Sequence, residues 1–162
     1  MSEKYFLASD HAGFELKEKI KKYLTTSKLD FQDLGPKTYN PEDDYNDYAK
    51  KVVKKVKNNK KHFGILVCGT GQGMSIQANR YSVVRCALCW NREIARQAKE
   101  HLNANIISMP GKYIDIKTAK EIIDVWRKTK TLTLEKHKRR INKLEILWNY
   151  NWHLMSLIRK KQ

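Results

Sequence analysis

The chain has 162 residues, with 33 lysines and arginines against 17 acidic side chains and a formal charge of +16. That length supports one domain with its own core and no need of disulfides, and 41% hydrophobic residues exclude a disordered chain. No apolar run approaches the ~20 residues of a membrane span, and the strand-like start lacks a signal peptide's layout, so the cytoplasm is the expected compartment.

From the N-terminus, residues 5–9 read as a strand and 14–23 as a helix whose apolar face carries Phe14, Leu16, Ile20 and Tyr23. A short strand over 31–34 stops at Gly35-Pro36. Residues 44–57 read as an amphipathic helix: Ala49, Val52, Val53 and Val56 share one face, and Lys50, Lys51, Lys54, Lys55 and Lys57 form its solvated back. A strand over 63–68, a short helix over 74–79, a strand over 83–89, a helix over 92–101 and a strand over 105–109 follow. Pro110-Gly111 ends the last of these. Helices over 115–128 and 134–160 complete the chain.

No repeat or linker divides it, so residues 1–162 read as a single α/β domain, with 134–162 a C-terminal helical extension. Strand–helix alternation specifies a three-layer, doubly wound, Rossmann-like domain around a five-stranded parallel sheet. The expected flavodoxin-type order, 2-1-3-4-5, sets the loops after strands one and three side by side at the switch point, where such sheets bind ligands. Cys86 and Cys89 have the spacing of a zinc half-site or redox pair. A second ligand pair is missing, and a strand turns the two thiols to opposite faces, so both are expected to pack as small hydrophobes.

The loop after strand three, Cys68-Gly69-Thr70-Gly71-Gln72-Gly73, puts an ionisable thiol at a strand's carboxyl end beside three alternate glycines. Such glycines let the backbone approach a ligand and turn several N–H groups inward, an anion nest at a helix start. It is neither a Walker loop, which needs Gly-Lys-Ser/Thr, nor the dinucleotide fingerprint, which follows the first strand as Gly-X-Gly-X-X-Gly. The topology brings Asp10 and His11 to the same crevice. Two reactions suit these groups: acyl transfer with Cys68 as nucleophile, or proton abstraction beside a carbonyl with Cys68 as base and the amides stabilising an enediolate. The residues alone leave both open. Either needs a thiol pKa below the usual ~8.5, and the helix N-terminus with Thr70 is expected to lower it.

Ser9-Asp10-His11-Ala12-Gly13-Phe14, Asp44-Tyr45 with Tyr48-Ala49, Cys68 to Ile76 with Ala78-Asn79, and Val84-Arg85 together resemble type B ribose-5-phosphate isomerases. That family includes allose- and galactose-6-phosphate isomerase relatives. The resemblance runs from Tyr5 to about Ile141. It implies an aldose–ketose isomerase of the non-oxidative pentose phosphate pathway, using ribose 5-phosphate and ribulose 5-phosphate through a cis-enediolate, with no metal and no cofactor. It further implies Cys68 as the base, Thr70 beside it, and Gly69, Gly71, Gln72, Gly73 and Met74 in the anion hole. His101 is implied as the ring-opening group, assisted by Asp10. Tyr45 is implied in the sugar pocket, and His11, Lys112, Lys136 and Arg140 around the phosphate. The family builds this site across a homodimer, at times a dimer of dimers, with the His101 and Arg140 regions facing Cys68 from the other subunit.

The chain departs from the family pattern at Leu102, where an asparagine is usual and Asn103 is the candidate substitute; at Lys112 and Lys136, which replace arginines and lose their two-point grip; and at Asn46, where proline is usual. Leu144, Leu147, Trp148, Trp152, Met155 and Ile158 give the extension a wide apolar face, expected to pack on the partner subunit. Two other readings stand beside the isomerase. The +16 charge motivates a nucleic-acid-binding module, which needs basic residues gathered on one face. An inactive subunit of a hetero-oligomeric hexose-phosphate isomerase is the other. Asp10 as a helix cap and His101 as a dipole partner are the structural alternatives for those residues.

Overall fold

The computed structural model describes residues 2–145. Strands β1 (Lys4–Ser9), β2 (Phe31–Asp33), β3 (His62–Cys68), β4 (Cys86–Leu88) and β5 (Ile106–Pro110) form one parallel sheet in the order β2-β1-β3-β5-β4. Helices α1 (Phe14–Thr26), α4 (Arg92–Leu102) and α5 (Ile116–Lys128) cover one face, and α2 (Tyr45–Val56) and α3 (Gln72–Ala78) the other. A helix α6 spans residues 135–145. The apolar set expected from Leu147 to Ile158 lies outside the described residues. No helix among the described residues is long and apolar enough to cross a membrane.

The three central strands β1, β3 and β5 feed both cores, because successive side chains point to opposite faces. Tyr5, Leu7, Ile65, Val67, Ile107 and Met109 enter the layer with Ile20, Ile122 and Trp126. Phe6, Ala8, Leu66, Cys68 and Ile106 enter the layer with Val52, Val53 and Met74. Cys86 and Cys89 fall into opposite layers as buried, free thiols, and burial pushes both up to about 12.

The last two strands are exchanged relative to the expected 2-1-3-4-5 order. β5 is buried along its whole length and pairs with β3 from Gly64↔Ile106 to Cys68↔Pro110. β4 has three residues, two of them half-exposed, and such a short strand suits an edge. It is also shorter than the strand expected over 83–89. Val83 takes φ 59°, a left-handed conformation that β-branched residues rarely adopt. Asn105 holds that turn by donating from Nδ2 to the Val83 carbonyl at 2.7 Å. β1 and β3 remain neighbours, so the switch point stands where the alternation placed it.

Candidate active site

Three loops meet at the carboxyl edge of the sheet. Gly13 lies so close to β3 that a Cβ there would sit 2.3 Å from the Val67 carbonyl oxygen, which ties the loop after β1 to the end of β3. The loop after β5 is tied in by Gly111 N–H to the Cys68 carbonyl at 2.8 Å and Lys112 N–H to the Gly69 carbonyl at 3.1 Å. Cys68, 4% exposed, forms the floor. Its Sγ accepts the Gly71 N–H at 3.0 Å.

The thiol is not lowered as the loop chemistry predicts. Burial pushes it above its ordinary value and the Asp10 carboxylate adds to the rise, while the N–H groups of Met74, Gly71 and Thr70 pull it down without prevailing. The Thr70 side chain is exposed, and its Oγ1 accepts the Gln72 N–H at 3.3 Å. The loop's shape depends on Gly71, at φ 75°, where a Cβ would lie 2.4 Å from Leu88 Cδ1 and 3.1 Å from the Met109 carbonyl carbon. The buried Ser108 hydroxyl donates to the Gly71 carbonyl at 2.7 Å. Gly71→Ala is therefore expected to cost about 1–2 kcal/mol for the backbone alone, with the Leu88 contact adding to it. Thermal melts should show a lowered midpoint and activity should fall with it.

Asp10 does cap the turn His11–Gly13: its Oδ1 accepts the Gly13 N–H at 2.9 Å. Burial pushes the Asp10 carboxyl up, against the Gly13 N–H and His11, and its charge in turn bears on the Cys68 thiol. His11 gives both its backbone N–H and its ring Nδ1 to Asp43 Oδ1, at 2.9 and 2.8 Å. Tyr45 lies over Gly73, where a Cβ would meet its ring at 2.9 Å, and the Lys112 side chain lies over Gly69. Asp10, His11, Tyr45, Lys112 and the Cys68–Met74 loop thus surround one crevice.

The remaining predicted residues lie at the opposite edge of the sheet. α4 runs antiparallel to the strands, so its C-terminus reaches the amino end of β5. There Asn103 takes the left-handed C-cap at φ 48°. Arg85, just before β4, donates from Nε to the Leu102 and Asn103 carbonyls at 3.1 Å each. The Asn103 amide oxygen accepts from Thr131 at 3.1 Å. The His101 ring stacks on His137 of α6, with centroids 4.8 Å apart and planes 12° from parallel. Burial, with His101, Lys136 and Arg140 nearby, holds the His137 imidazole below its ordinary value. These four form a separate basic cluster. Leu102 is exposed beside them and lines an apolar cleft of about 370 Å³ with Val83, Val84 and Leu144.

Comparison with known sequences decides what the crevice belongs to: a profile described as Ribose/Galactose Isomerase matches residues 5–144. The chain belongs to the ribose/galactose isomerase family. A crystal structure of a ribose 5-phosphate isomerase from Thermotoga maritima superposes with a TM-score of 0.85 at 46% identity, covering 90% of this chain and 99% of that one. The ribose-5-phosphate isomerase B from Mycoplasma genitalium, solved with bound ribulose 5-phosphate, gives a TM-score of 0.87 at 37% identity over 92% and 98% of the two chains. The ribose-5-phosphate isomerase B of Mycolicibacterium paratuberculosis is 36% identical over 137 residues, 85% of this chain and 86% of its own.

Three residues of this family member escaped the sequence reading. Asp43 sits in the acidic run Glu42-Asp43-Asp44 and looks like any loop carboxylate, and only the fold brings it to His11. His137 is hidden in a basic run. Ser108 was detectable, since a hydroxyl inside the buried run Ile106-Ile107-Ser108-Met109 must find a partner. Among the described residues no group of three or more His, Cys, Asp or Glu is arranged to hold a metal ion.

Proposed function

We propose that this chain interconverts ribose 5-phosphate and ribulose 5-phosphate through a cis-enediolate, with Cys68 as the general base. The observation that carries the reading is the thiol itself: Sγ lies at the floor of the crevice, faced by the Gly71 N–H at 3.0 Å, with Asp10 on one side and the glycine loop on the other. The thiolate takes the C2 proton of the open-chain aldose and the enediolate forms. The O2 hydroxyl proton passes to O1 across the enediolate, the thiol returns its proton to C1, and C2 becomes the carbonyl of the ketose. Negative charge passes from sulfur to the enediolate oxygen without leaving the reach of the same amides, and such fixed dipoles need no reorganisation as the charge moves. Acyl transfer finds less support, because the contact described for Cys68 Sγ is a backbone N–H and not a histidine ring.

Asp10 assists ring opening and holds a sugar hydroxyl, while Tyr45, Gly69, Thr70, Gly71, Gln72, Gly73 and Met74 enclose the reacting end. His11 and Lys112 receive the phosphate from this side. His101, Lys136 and Arg140 complete the site from a second copy, with the free amide N–H₂ of Asn103 standing in for the residue replaced by Leu102. This arrangement is a homodimer, and three buried free thiols suit a reducing, cytoplasmic compartment. Isomer formation and solvent proton exchange at C2, measured side by side for ribose 5-phosphate and allose 6-phosphate, test the reading. Turnover of the pentose phosphate above the hexose phosphate is expected, and exchange with neither overturns it.

A further inference from the structure

The sugar-phosphate reading gives His11 its task but leaves open what prepares it. Asp43 has no assigned part in the reaction, yet it is built into the site in an unusual way. Its side chain is 5% exposed. A single oxygen, Oδ1, serves both donors of His11, the backbone N–H at 2.9 Å and ring Nδ1 at 2.8 Å. The other oxygen, Oδ2, is buried with no hydrogen-bond partner. The Tyr48 phenol of α2 interacts with the same carboxylate.

The geometry points to Asp43 as a positioning residue for phosphate capture: it fixes the His11 ring with Nδ1–H turned inward and Nε2–H left for the ligand. The backbone bond anchors the turn while the ring bond sets the rotamer, so one carboxylate fixes both ends of the same residue. A histidine whose Nδ1 is held by a carboxylate presents Nε2 in a defined direction, the same second-partner logic that orients metal-bound and catalytic imidazoles.

The charged groups around this pair are few. Asp10 lies on the same turn and Asp43 on the loop before α2, and both favour the imidazolium. The hydrogen bond to Asp43 is the largest influence and holds His11 above its ordinary value, against a smaller effect of burial. Tyr48, on α2, faces Asp43, and its phenol is pushed up by burial and by that carboxylate. Lys112 lies across the loop over Gly69 as the other cation for the phosphate. A dianionic phosphate near neutral pH meets a charged hydrogen-bond donor in His11 only while the imidazole keeps its second proton.

The inference rests on the sugar-phosphate reading, and its test separates the two. Asp43→Asn keeps an oxygen that can accept from both His11 donors but removes the charge; Asp43→Ala removes both. In the ligand-free protein, NMR titration of the His11 ring should show a lower pKa in Asp43→Asn than in the parent chain. With ribose 5-phosphate near pH 7.5, KM should rise about tenfold, the effect of one lost charged contact, while kcat changes less than about twofold. As the pH is lowered and protonation of His11 becomes favourable in both proteins, the two KM values should draw together for Asp43→Asn but not for Asp43→Ala. An unchanged His11 titration, a KM penalty independent of pH, or a fall in kcat at constant KM overturns the assignment. If the parent chain fails to turn over the sugar, the isomerase reading falls. The His11 titration and its displacement by inorganic phosphate then still decide the role of Asp43.

Discussion

Cys68→Ser is expected to lower kcat for ribose 5-phosphate by about 10³-fold, within the range one positioned general base supplies, while the protein stays folded. Serine is the informative replacement because it preserves the shape of the site. The side chain is 4% exposed, and a hydroxyl in its place still offers an acceptor to the Gly71 N–H that now meets Sγ at 3.0 Å. What changes is proton affinity, since a hydroxyl cannot ionise in this range and no base remains to take the C2 proton. The rate loss should therefore come with an unchanged thermal midpoint and loss of deuterium incorporation at C2. The pH profile carries the sign. Burial holds the thiol above its ordinary value, so the thiolate fraction grows with pH across the neutral and mildly alkaline range. In the parent enzyme kcat/KM should rise with it, and the serine variant should lack that limb. A serine variant within about tenfold of the parent rate would remove Cys68 from the role of base.

The half of the site around Cys68 was legible because its parts are local in sequence. A buried strand ending in a thiol, three alternate glycines and a helix start follow one another without a break from His62 to Ile76, and their geometry follows from backbone rules. Adjacency of the β1 and β3 loops followed from the winding of the sheet. The exchange of β4 and β5 did not, because pairing is decided by burial. Ile106 to Pro110 is apolar enough for the centre, and Cys86 to Leu88 is too short to hold it. Val83 escaped for a related reason, since a β-branched residue in an apolar run reads as strand until Asn105, 22 residues on, fixes the turn. The sign of the thiol's shift was misjudged because the N–H groups are visible in the sequence while the depth of burial is not. Asp43 lay furthest from view: its link to His11 spans 32 residues and leaves no local pattern.

Mixing two dead variants, Cys68→Ser and His101→Asn, should restore activity to about a quarter of the parent value, provided the subunits are allowed to exchange. The expectation follows from the direction of α4. His101 lies in its last turn, at the amino edge of the sheet, whereas Cys68 pairs with Pro110 at the carboxyl edge. The five residues of β5 span the interval, about 16 Å at the usual rise of a parallel strand. No side-chain rotation brings His101 to Sγ across that distance, so under the proposed function one chain carries two separate groups: thiol, carboxylate and glycine nest at one edge, and His101, Lys136 and Arg140 at the other. In the proposed two-fold dimer, which presents the same surfaces twice, each nest would face the His101 cluster of the other copy. A hybrid of the two variants then carries one doubly broken site and one intact site. Random exchange makes about half the dimers hybrid, which sets the recovery at about a quarter. Subunits carrying different tags would verify the exchange independently. Recovery near zero despite proven hybrids would mean that both groups act within one chain or that His101 has no part in the reaction. The stack of His101 on His137, with Arg140 and Lys136 around it, would then be a packing device for α6 and not half of a sugar-phosphate site.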